Sequence, residues 1–212
     1  MSMLFITSDT HFGHYNIINY CNRPFKDLNH MDETLIRNWN ERIKPNDSVI
    51  FAGDFSFKNS SGGKEGEGSK INTSFDYLKR LNGKLVMLKG NHDKNNGINT
   101  HINSLRVGFG KKIFHIQHRP PHNKESIIGA DIVLCGHVHE KWKVKLYEFD
   151  EIKIPVINVS VDVWGFKPIK FTEITYLVDK IEKGEVSFNG RTLGLEPNNG
   201  GSTPSTSAIE GF

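Results

Sequence analysis

The chain has 212 residues, of which 36% are hydrophobic and 24% are charged, and its formal net charge is +3. These values fit one globular domain of ordinary size on the polar side of the range. Because the charge is small and no long Lys/Arg run occurs, a nucleic-acid partner is not indicated. No apolar run is long enough to span a bilayer, which excludes a membrane-spanning helix.

The cellular compartment is predicted from cysteine usage and from the first residues. Cys21 and Cys135 are the only cysteines, too few for a disulfide framework, which favours a reducing compartment. The opening run Met1 to Ile6 leads directly into "TSDTH", without the charged and apolar stretches of a signal peptide. We therefore expect a cytoplasmic protein.

Short apolar runs alternate with amphipathic segments along the chain. Helices are predicted around 31–43 with Asn29 as the N-cap, at 74–83, and around 173–183 with Thr172 as the N-cap and Gly184 as the end. Strands are predicted at 3–7, 48–52, 84–89, 111–117, 131–136 and 155–161, with an antiparallel hairpin within 142–160. Several strands are apolar on both faces, so the pattern indicates an α/β sandwich with covered sheets.

Two segments depart from this alternation. Residues 57–70, "FKNSSGGKEGEGSK", are typical of a mobile loop. The segment from about Arg191 is poor in apolar residues and is expected to be a disordered tail or a remnant of the expression vector. The predicted domain therefore covers 1–190, and the predicted tail covers 191–212.

Polar side chains gather where the predicted strands end. Five strand ends carry Asp, Asn or His in the sequences "DTH" (9–11), "GD" (53–54), "GNHD" (90–93), His118 and "GHVH" (136–139). In open α/β sheets the carboxyl ends of strands share one edge, where ligands bind. We therefore expect these separate clusters to converge on one site.

The residue types favour a metal site of oxygen and nitrogen ligands. In an extended chain side chains two apart point the same way, so Asp9 and His11 can face one ion and His137 and His139 can line one wall. Carboxylate, carboxamide and imidazole suit Mn²⁺, Fe²⁺, Zn²⁺ or Ni²⁺, and the ligand count is sufficient for two ions that share one carboxylate.

The order DxH, GD, GNHD, H, GHxH over residues 9 to 139 resembles the calcineurin-like metallophosphoesterase family. The stretches "SDTHFGHYNII", "RPF" and "VDVWGFKPI" resemble a subgroup of small bacterial and phage-encoded phosphoesterases. The resemblance implies a four-layer α/β-β/α sandwich, with two mixed sheets flanked by helices, and a binuclear site for two divalent metal ions, Mn²⁺ foremost. It also implies roles for nine residues. One metal would be held by Asp9, His11 and His139, the other by Asn91, His118 and His137, with Asp54 as the bridge, His92 as the general acid and Asp93 as the residue that positions its imidazole.

Two departures from the family pattern bear on these roles. The fourth cluster reads "HIQHRPP", so His115 competes with His118, and we prefer His118 because it lies at the end of the strand. The second cluster continues as Phe55-Ser56-Phe57, and Asp93 follows His92. Both features argue against a Ser/Thr protein phosphatase of this superfamily, which continues with Asp-Arg-Gly and places Glu after that His.

The motifs imply hydrolysis of a phosphoester by a hydroxide shared between two metals. We favour a phosphodiester of a nucleotide or another small phosphoester, with His14 and Arg119 as candidate substrate contacts. A phosphomonoesterase and a nuclease resembling the Mre11 branch remain alternatives. A non-catalytic scaffold like the retromer subunit is disfavoured because the ligand set is complete. The oligomeric state is not predicted.

Overall fold

The computed structural model describes residues 1–57, 73–98, 100–186 and 188. The α-helices of this part are α1 Ile17–Tyr20, α2 Leu28–Arg42, α3 Ser74–Leu78 and α4 Phe171–Glu182. The strands are β1 Leu4–Thr7, β2 Ser48–Phe51, β3 Lys84–Met87, β4 Ser104–Phe109, β5 Lys112–Gln117, β6 Ile132–Cys135, β7 Val144–Phe149, β8 Ile152–Asn158 and β9 Ile169–Lys170. No helix among these residues is long and apolar enough to cross a membrane.

The strands form two mixed sheets. The first sheet has the order β3-β2-β1-β9, in which β1, β2 and β3 are parallel and β9 is antiparallel to β1. The second has the order β4-β5-β6-β8-β7, in which β5, β6 and β8 are parallel and both edge strands are antiparallel to their neighbours. In each sheet the parallel strands therefore end at the same edge.

Apolar side chains cover the two sheets in layers. Helices α1 and α2 pack against Phe5, Val49 and Phe51 on the outer face of the first sheet. The opposite faces of both sheets share a second core, to which α4 contributes. The outer face of the second sheet packs on Ile127 and Ala130, from the segment between β5 and β6. This burial of both faces explains why the central strands β1, β2 and β6 are apolar on both faces.

The predicted α/β fold with two mixed sheets and flanking helices is confirmed. The predicted hairpin is β7 paired with β8. Strands β4 and β9 and helix α1 were not predicted, and α3 ends at Leu78 instead of continuing to residue 83. The predicted loop after Phe57 and the predicted tail after Arg191 lie outside the described residues.

Both predicted helix caps are wrong. Helix α2 begins at Leu28, earlier than expected, and its N-cap is Asp27, whose carboxylate accepts the His30 N–H at 2.7 Å. Helix α4 begins directly after β9, so its N-cap is Lys170, whose N–H donates to the Glu173 carboxylate at 2.7 Å. In both cases the chain enters the helix before the residue whose side chain suggested a cap.

Candidate metal centre

The predicted ligands follow strands that end at one edge of the two sheets. Asp9 follows β1, Asp54 follows β2 and Asn91 follows β3, all in the first sheet. His118 follows β5 and His137 follows β6 in the second sheet. Within the first sheet the Asp9 N–H donates to the Gly53 carbonyl at 3.0 Å. The His137 N–H joins the two sheet edges, since it donates to the Asp9 carboxylate at 3.1 Å.

A first group of ligand atoms comprises Asp9, His11 and His139, which offer one atom each within 4.8 Å of one another. The Ser8 hydroxyl donates to the Asp9 carboxylate at 2.5 Å and holds it on this side of the centre. The Nδ1 atoms of His11 and His14 lie 3.3 Å apart, so the other ring nitrogen of His11 is the one available to a ligand.

A second group comprises Asp54, His118 and His137, again within 4.8 Å of one another. The Nδ1 of His118 lies 2.9 Å from the Ala52 carbonyl, and because a carbonyl only accepts, this nitrogen carries the proton. The Nε2 of His118 lies 2.9 Å from the Asn91 amide oxygen. Asn91 therefore belongs to this group through its oxygen.

Asp54 lies between the two groups. Its Oδ2 is 3.5 Å from the Nε2 of His11 and 3.2 Å from the Nε2 of His118. Its Oδ1 accepts the backbone N–H of His92 at 2.8 Å, which orients the carboxylate. One carboxylate thus faces both groups, as a bridging ligand must.

Unsatisfied polar atoms at this point fit a cation. The Nε2 of His11 and the Oδ2 of Asp54 are buried and have no hydrogen-bond partner among the described residues. Two oxygens, from Asn91 and Asp54, also converge on the Nε2 of His118, whose proton lies on the other ring nitrogen. Buried acceptors that face one another are costly unless a proton or a metal ion lies between them. The residues therefore fit a divalent metal.

The backbone at the centre is held in sparsely populated conformations. Positive φ angles between 48° and 71° occur at five of the predicted ligands, namely Asp9, His11, Asp54, His137 and His139. For residues other than glycine such angles cost about 1–3 kcal/mol each and are concentrated at functional sites. The tertiary fold therefore holds these five residues in backbone conformations that they would not prefer in an isolated peptide.

The glycines before the ligands act mainly by leaving space. A Cβ at Gly90 would overlap the Asp54 carboxylate, and one at Gly136 would overlap the Asp9 carboxylate and the Ser8 hydroxyl. Only Gly53 of these three also has a positive φ, at 94°. The two carboxylates can therefore approach the neighbouring backbone only because side chains are absent there.

Burial and neighbouring charges shift the pKa values of the ligands. Burial raises the pKa of Asp9. Burial also acts to raise the pKa of Asp54, but the contact with His118 outweighs it and the pKa is lowered. Burial, together with the charge of His118, lowers the pKa of His137 to about 4. For His139 burial acts to lower the pKa, but the bond to Asp162 dominates and raises it to about 10. The protonation of the centre is thus set by burial and by hydrogen bonds and charges from neighbouring side chains.

Comparison with known proteins establishes the family. The model of the calcineurin-like phosphoesterase superfamily domain matches residues 1–159. The chain belongs to this superfamily. Its members are typically dependent on divalent metals, and the two ligand groups are candidate positions for such ions in this chain.

Two relatives are similar over most of the chain. An uncharacterised protein of Methanocaldococcus jannaschii is 34% identical over 194 residues, which cover 88% of this chain and 95% of the relative. A protein of unknown function from Aquifex aeolicus has a solved structure that aligns with a TM-score of 0.61 and 24% identity, over 84% of this chain and 100% of that chain. The second likeness shows the shared fold.

His92 lies beside both ligand groups without belonging to either. Its ring centroid is 5.3 Å from that of His11 and 5.8 Å from that of Phe57. Its backbone N–H is bound to Asp54, and no hydrogen bond to its ring nitrogens is found within the described part of the chain. The imidazole is therefore available to a molecule bound at the centre.

Asp93 makes contacts different from those expected. Its carboxylate accepts the N–H groups of Asp54, Phe55 and Gly90 at 2.8, 3.0 and 2.7 Å and the amide of Asn96 at 2.6 Å. Among the described residues no contact joins this carboxylate to the His92 imidazole. The expectation that Asp93 positions the imidazole is not met, because backbone donors from two strand ends occupy its oxygens.

We expect Asp93→Asn to destabilise the protein by about 1.5–3 kcal/mol, the range for hydrogen bonds to a charged group. The amide nitrogen would face backbone N–H donors, so at least one buried donor loses its acceptor. Urea unfolding monitored by circular dichroism measures the change. If stability is unchanged while turnover falls steeply, Asp93 acts on the chemistry and not on the backbone.

The two candidate substrate contacts lie in different surroundings. His14 is 8% exposed, its ring stacks on Phe57 at 4.1 Å, and burial, with His92 next, lowers its pKa to about 4. His14 is therefore a neutral wall residue that contacts His11. Arg119 is exposed, and its charge helps to lower the pKa of His137, so it lies near the second group.

The competing ligand of the fourth cluster lies away from the centre. His115 is within β5, where its ring nitrogens contact Arg106 at 3.4 Å and Gln117 at 3.0 Å. His118, in contrast, is beside Asp54. The structure therefore brings His118, and not His115, to the other predicted ligands.

Two residues next to the ligands were missed in the sequence. Asp162, which follows β8, contacts His139, and Arg23 contacts Asp162 and the backbone of Asp9. The strand-end rule that located the other clusters would have found Asp162, because β8 is parallel to β6 in the same sheet. Arg23 precedes a proline in a loop, where the strand-end rule does not apply.

Proposed function

We propose that this phosphoesterase hydrolyses a phosphodiester of a nucleotide or another small phosphoester with two divalent cations, Mn²⁺ foremost. The observation that supports the proposal is the position of Asp54, whose one carboxylate oxygen faces His11 of the first group and His118 of the second. Two positions that share a carboxylate are the arrangement required for a two-metal site.

The proposed ligands are Asp9, His11 and His139 at one position, Asn91, His118 and His137 at the other, and Asp54 at both. When bound, the two cations activate water and neutralise charge on the phosphoryl oxygens. The chain orients the ligands through His14, Ser8 and the Ala52 carbonyl, which hold the ring of His11, the carboxylate of Asp9 and the ring of His118.

The proton for the leaving group is assigned to His92. Its side chain is exposed, its ring centroid lies 5.3 Å from that of His11, and no described side chain is hydrogen-bonded to its ring nitrogens. Arg119, exposed near His137, supplies a positive charge for the phosphate. His14 is assigned to the wall behind the substrate, since its Nδ1 contacts His11.

The experiment that tests the function starts from metal-free protein. Mn²⁺, Ni²⁺ or Zn²⁺ is added back separately, and hydrolysis is measured on a chromogenic phosphodiester, a phosphomonoester, cyclic nucleotides and single-stranded DNA. We expect metal-dependent turnover, greatest with Mn²⁺ and with a diester. Preference for the monoester would revise the substrate class, and preference for DNA would favour a nuclease. No hydrolysis with any metal, despite tight binding, would favour a scaffold.

A further inference from the structure

A buried ion pair lies directly behind the first ligand group. The Nε of Arg23 is 2.8 Å from one carboxylate oxygen of Asp162, and its terminal nitrogen is 3.0 Å from the other. The two side chains are only 0% and 2% exposed. The pair joins the segment after α1 to the turn after β8, which are 139 residues apart in the chain.

The carboxylate of Asp162 also holds a predicted metal ligand. It accepts a hydrogen bond from the Nδ1 of His139 at 2.9 Å and from the Ser160 hydroxyl at 2.8 Å. Since a carboxylate accepts, the Nδ1 of His139 carries a proton, which leaves Nε2 as the atom that would bind a metal ion in place of a proton. A carboxylate behind an imidazole is the arrangement that orients histidine ligands in metal sites.

The guanidinium of Arg23 also holds the backbone of the other ligand strand. It donates to the carbonyl of Asp9 at 2.7 Å and to that of Thr10 at 3.0 Å. Asp9, His11 and His139 all have positive φ angles, so their conformations need support from outside the loop. Arg23 and Asp162 contact both segments that carry these ligands.

A contribution to the stability of the fold does not by itself explain the buried Arg23–Asp162 ion pair. Removing two charges from water costs several kcal/mol per ion, and buried pairs can often be replaced by apolar residues without loss. Here each charge instead makes directional bonds to the ligand-bearing segments. Cys21 lies close enough to His139 and Asp162 to form a third candidate ligand group, but Asp162 is already occupied by Arg23, His139 and Ser160.

We propose that Arg23 and Asp162 are positioning residues for the metal position formed by Asp9, His11 and His139. Asp162 fixes the tautomer and the direction of the His139 ring, and Arg23 fixes Asp162 against the backbone of Asp9. The inference rests on the proposed metal-dependent function. It also assigns a role to the stretches "RPF" (23–25) and "VDVWGFKPI" (161–169), which contribute no predicted metal ligand.

The test is Mn²⁺ binding to Asp162→Asn, measured by equilibrium dialysis of metal-free protein. We expect two equivalents to bind the unmodified protein, and one of them to bind the variant about 10–100-fold more weakly, the usual effect of removing a partner of a metal-bound histidine. The other equivalent should be unchanged. Turnover should recover when Mn²⁺ is raised, because the ligands themselves remain.

Two further variants separate positioning from general destabilisation. Glu173→Gln removes another Arg–carboxylate contact, with Arg42 at 2.6 Å, near the start of α4 and away from the ligands, and should leave both equivalents unchanged. Ser160→Ala keeps the ion pair but removes one bond to Asp162, and should weaken one equivalent by about three- to tenfold, the value of one hydrogen bond. If Asp162→Asn does not fold, Ser160→Ala tests the same inference.

Unchanged Mn²⁺ binding in both Asp162→Asn and Ser160→Ala would overturn the inference while leaving the proposed function intact. Equal weakening in Glu173→Gln would also overturn it, because the effect would then be general. If the unmodified protein binds two equivalents and the variants weaken one, but no phosphoester is hydrolysed, the proposed function fails and the positioning role stands.

Discussion

His92→Ala is expected to keep the bound metal and the fold while turnover falls by about 10²–10⁴-fold, the contribution typical of a general acid. Alanine retains the backbone N–H that donates to Asp54 at 2.8 Å, so the orientation of the shared carboxylate is preserved. Only the imidazole is removed, and it contributes no ligand to either group. The effect should therefore fall on turnover and not on metal binding.

The measurement is kcat for a chromogenic diester together with Mn²⁺ content. His101→Ala is the matched control, because His101 is an exposed histidine outside both ligand groups, and it should be fully active. Substrates with better leaving groups need less protonation, so the loss should shrink as the leaving group becomes more acidic. A variant as active as the unmodified protein on all diesters would remove His92 from the mechanism.

Asp54→Ala is expected to have the largest effect on the centre. The Oδ2 of Asp54 is the one carboxylate oxygen that faces both His11 and His118, so its loss weakens both metal positions together. We expect Mn²⁺ affinity to fall by more than about 100-fold, beyond the effect of residues that only orient ligands. Turnover should be lost at ordinary metal concentrations.

Elemental analysis after dialysis gives the stoichiometry of Asp54→Ala. The control is Asp47→Ala, another buried aspartate, which lies just before β2 at the opposite end of that strand and accepts the N–H groups of Met3 and Lys44 at 2.8 Å. It should lower stability and leave metal binding unchanged. Retention of both equivalents by Asp54→Ala would contradict the bridging role.

Much of the site could be predicted because it obeys a local rule. Each cluster follows an apolar run, and apolar runs without alternation are strands covered on both faces. Parallel strands end at a common edge, so residues as far apart in sequence as Asp9 and His137 could be expected to meet. The structure confirms this contact, since the backbone N–H of His137 lies 3.1 Å from the Asp9 carboxylate.

Elements that depend on distant partners were not predictable in the same way. Strand β4, with Arg106 and Gly108 within it, is an edge strand whose exposed positions alternate, and it exists through its pairing with β5. Strand β9 is only two residues long and is defined by its antiparallel contact with β1. Intrinsic preferences are weak for such segments, and tertiary pairing decides them.

The role of Asp93 shows a second limit. A carboxylate that follows a histidine suggests a histidine–carboxylate pair, yet neighbours in a tight turn can point in different directions. The direction of Asp93 is set by three backbone N–H groups from the ends of β2 and β3. Every residue except proline carries a backbone N–H, so the residue types do not show which of these groups will bind Asp93. This role is therefore visible only in the folded chain.

The sequence by itself determined the residue types of the centre and the order along the chain of the strands that precede them. Hydrophobic pattern and ligand chemistry are properties of the residues themselves. Only the tertiary structure decided that Asp54 faces both groups and that His118, not His115, contacts it. It also decided that Asp162 binds His139 and is itself paired with Arg23. The physical reason is that these contacts join segments far apart in the chain, and their distances follow from how the two sheets pack.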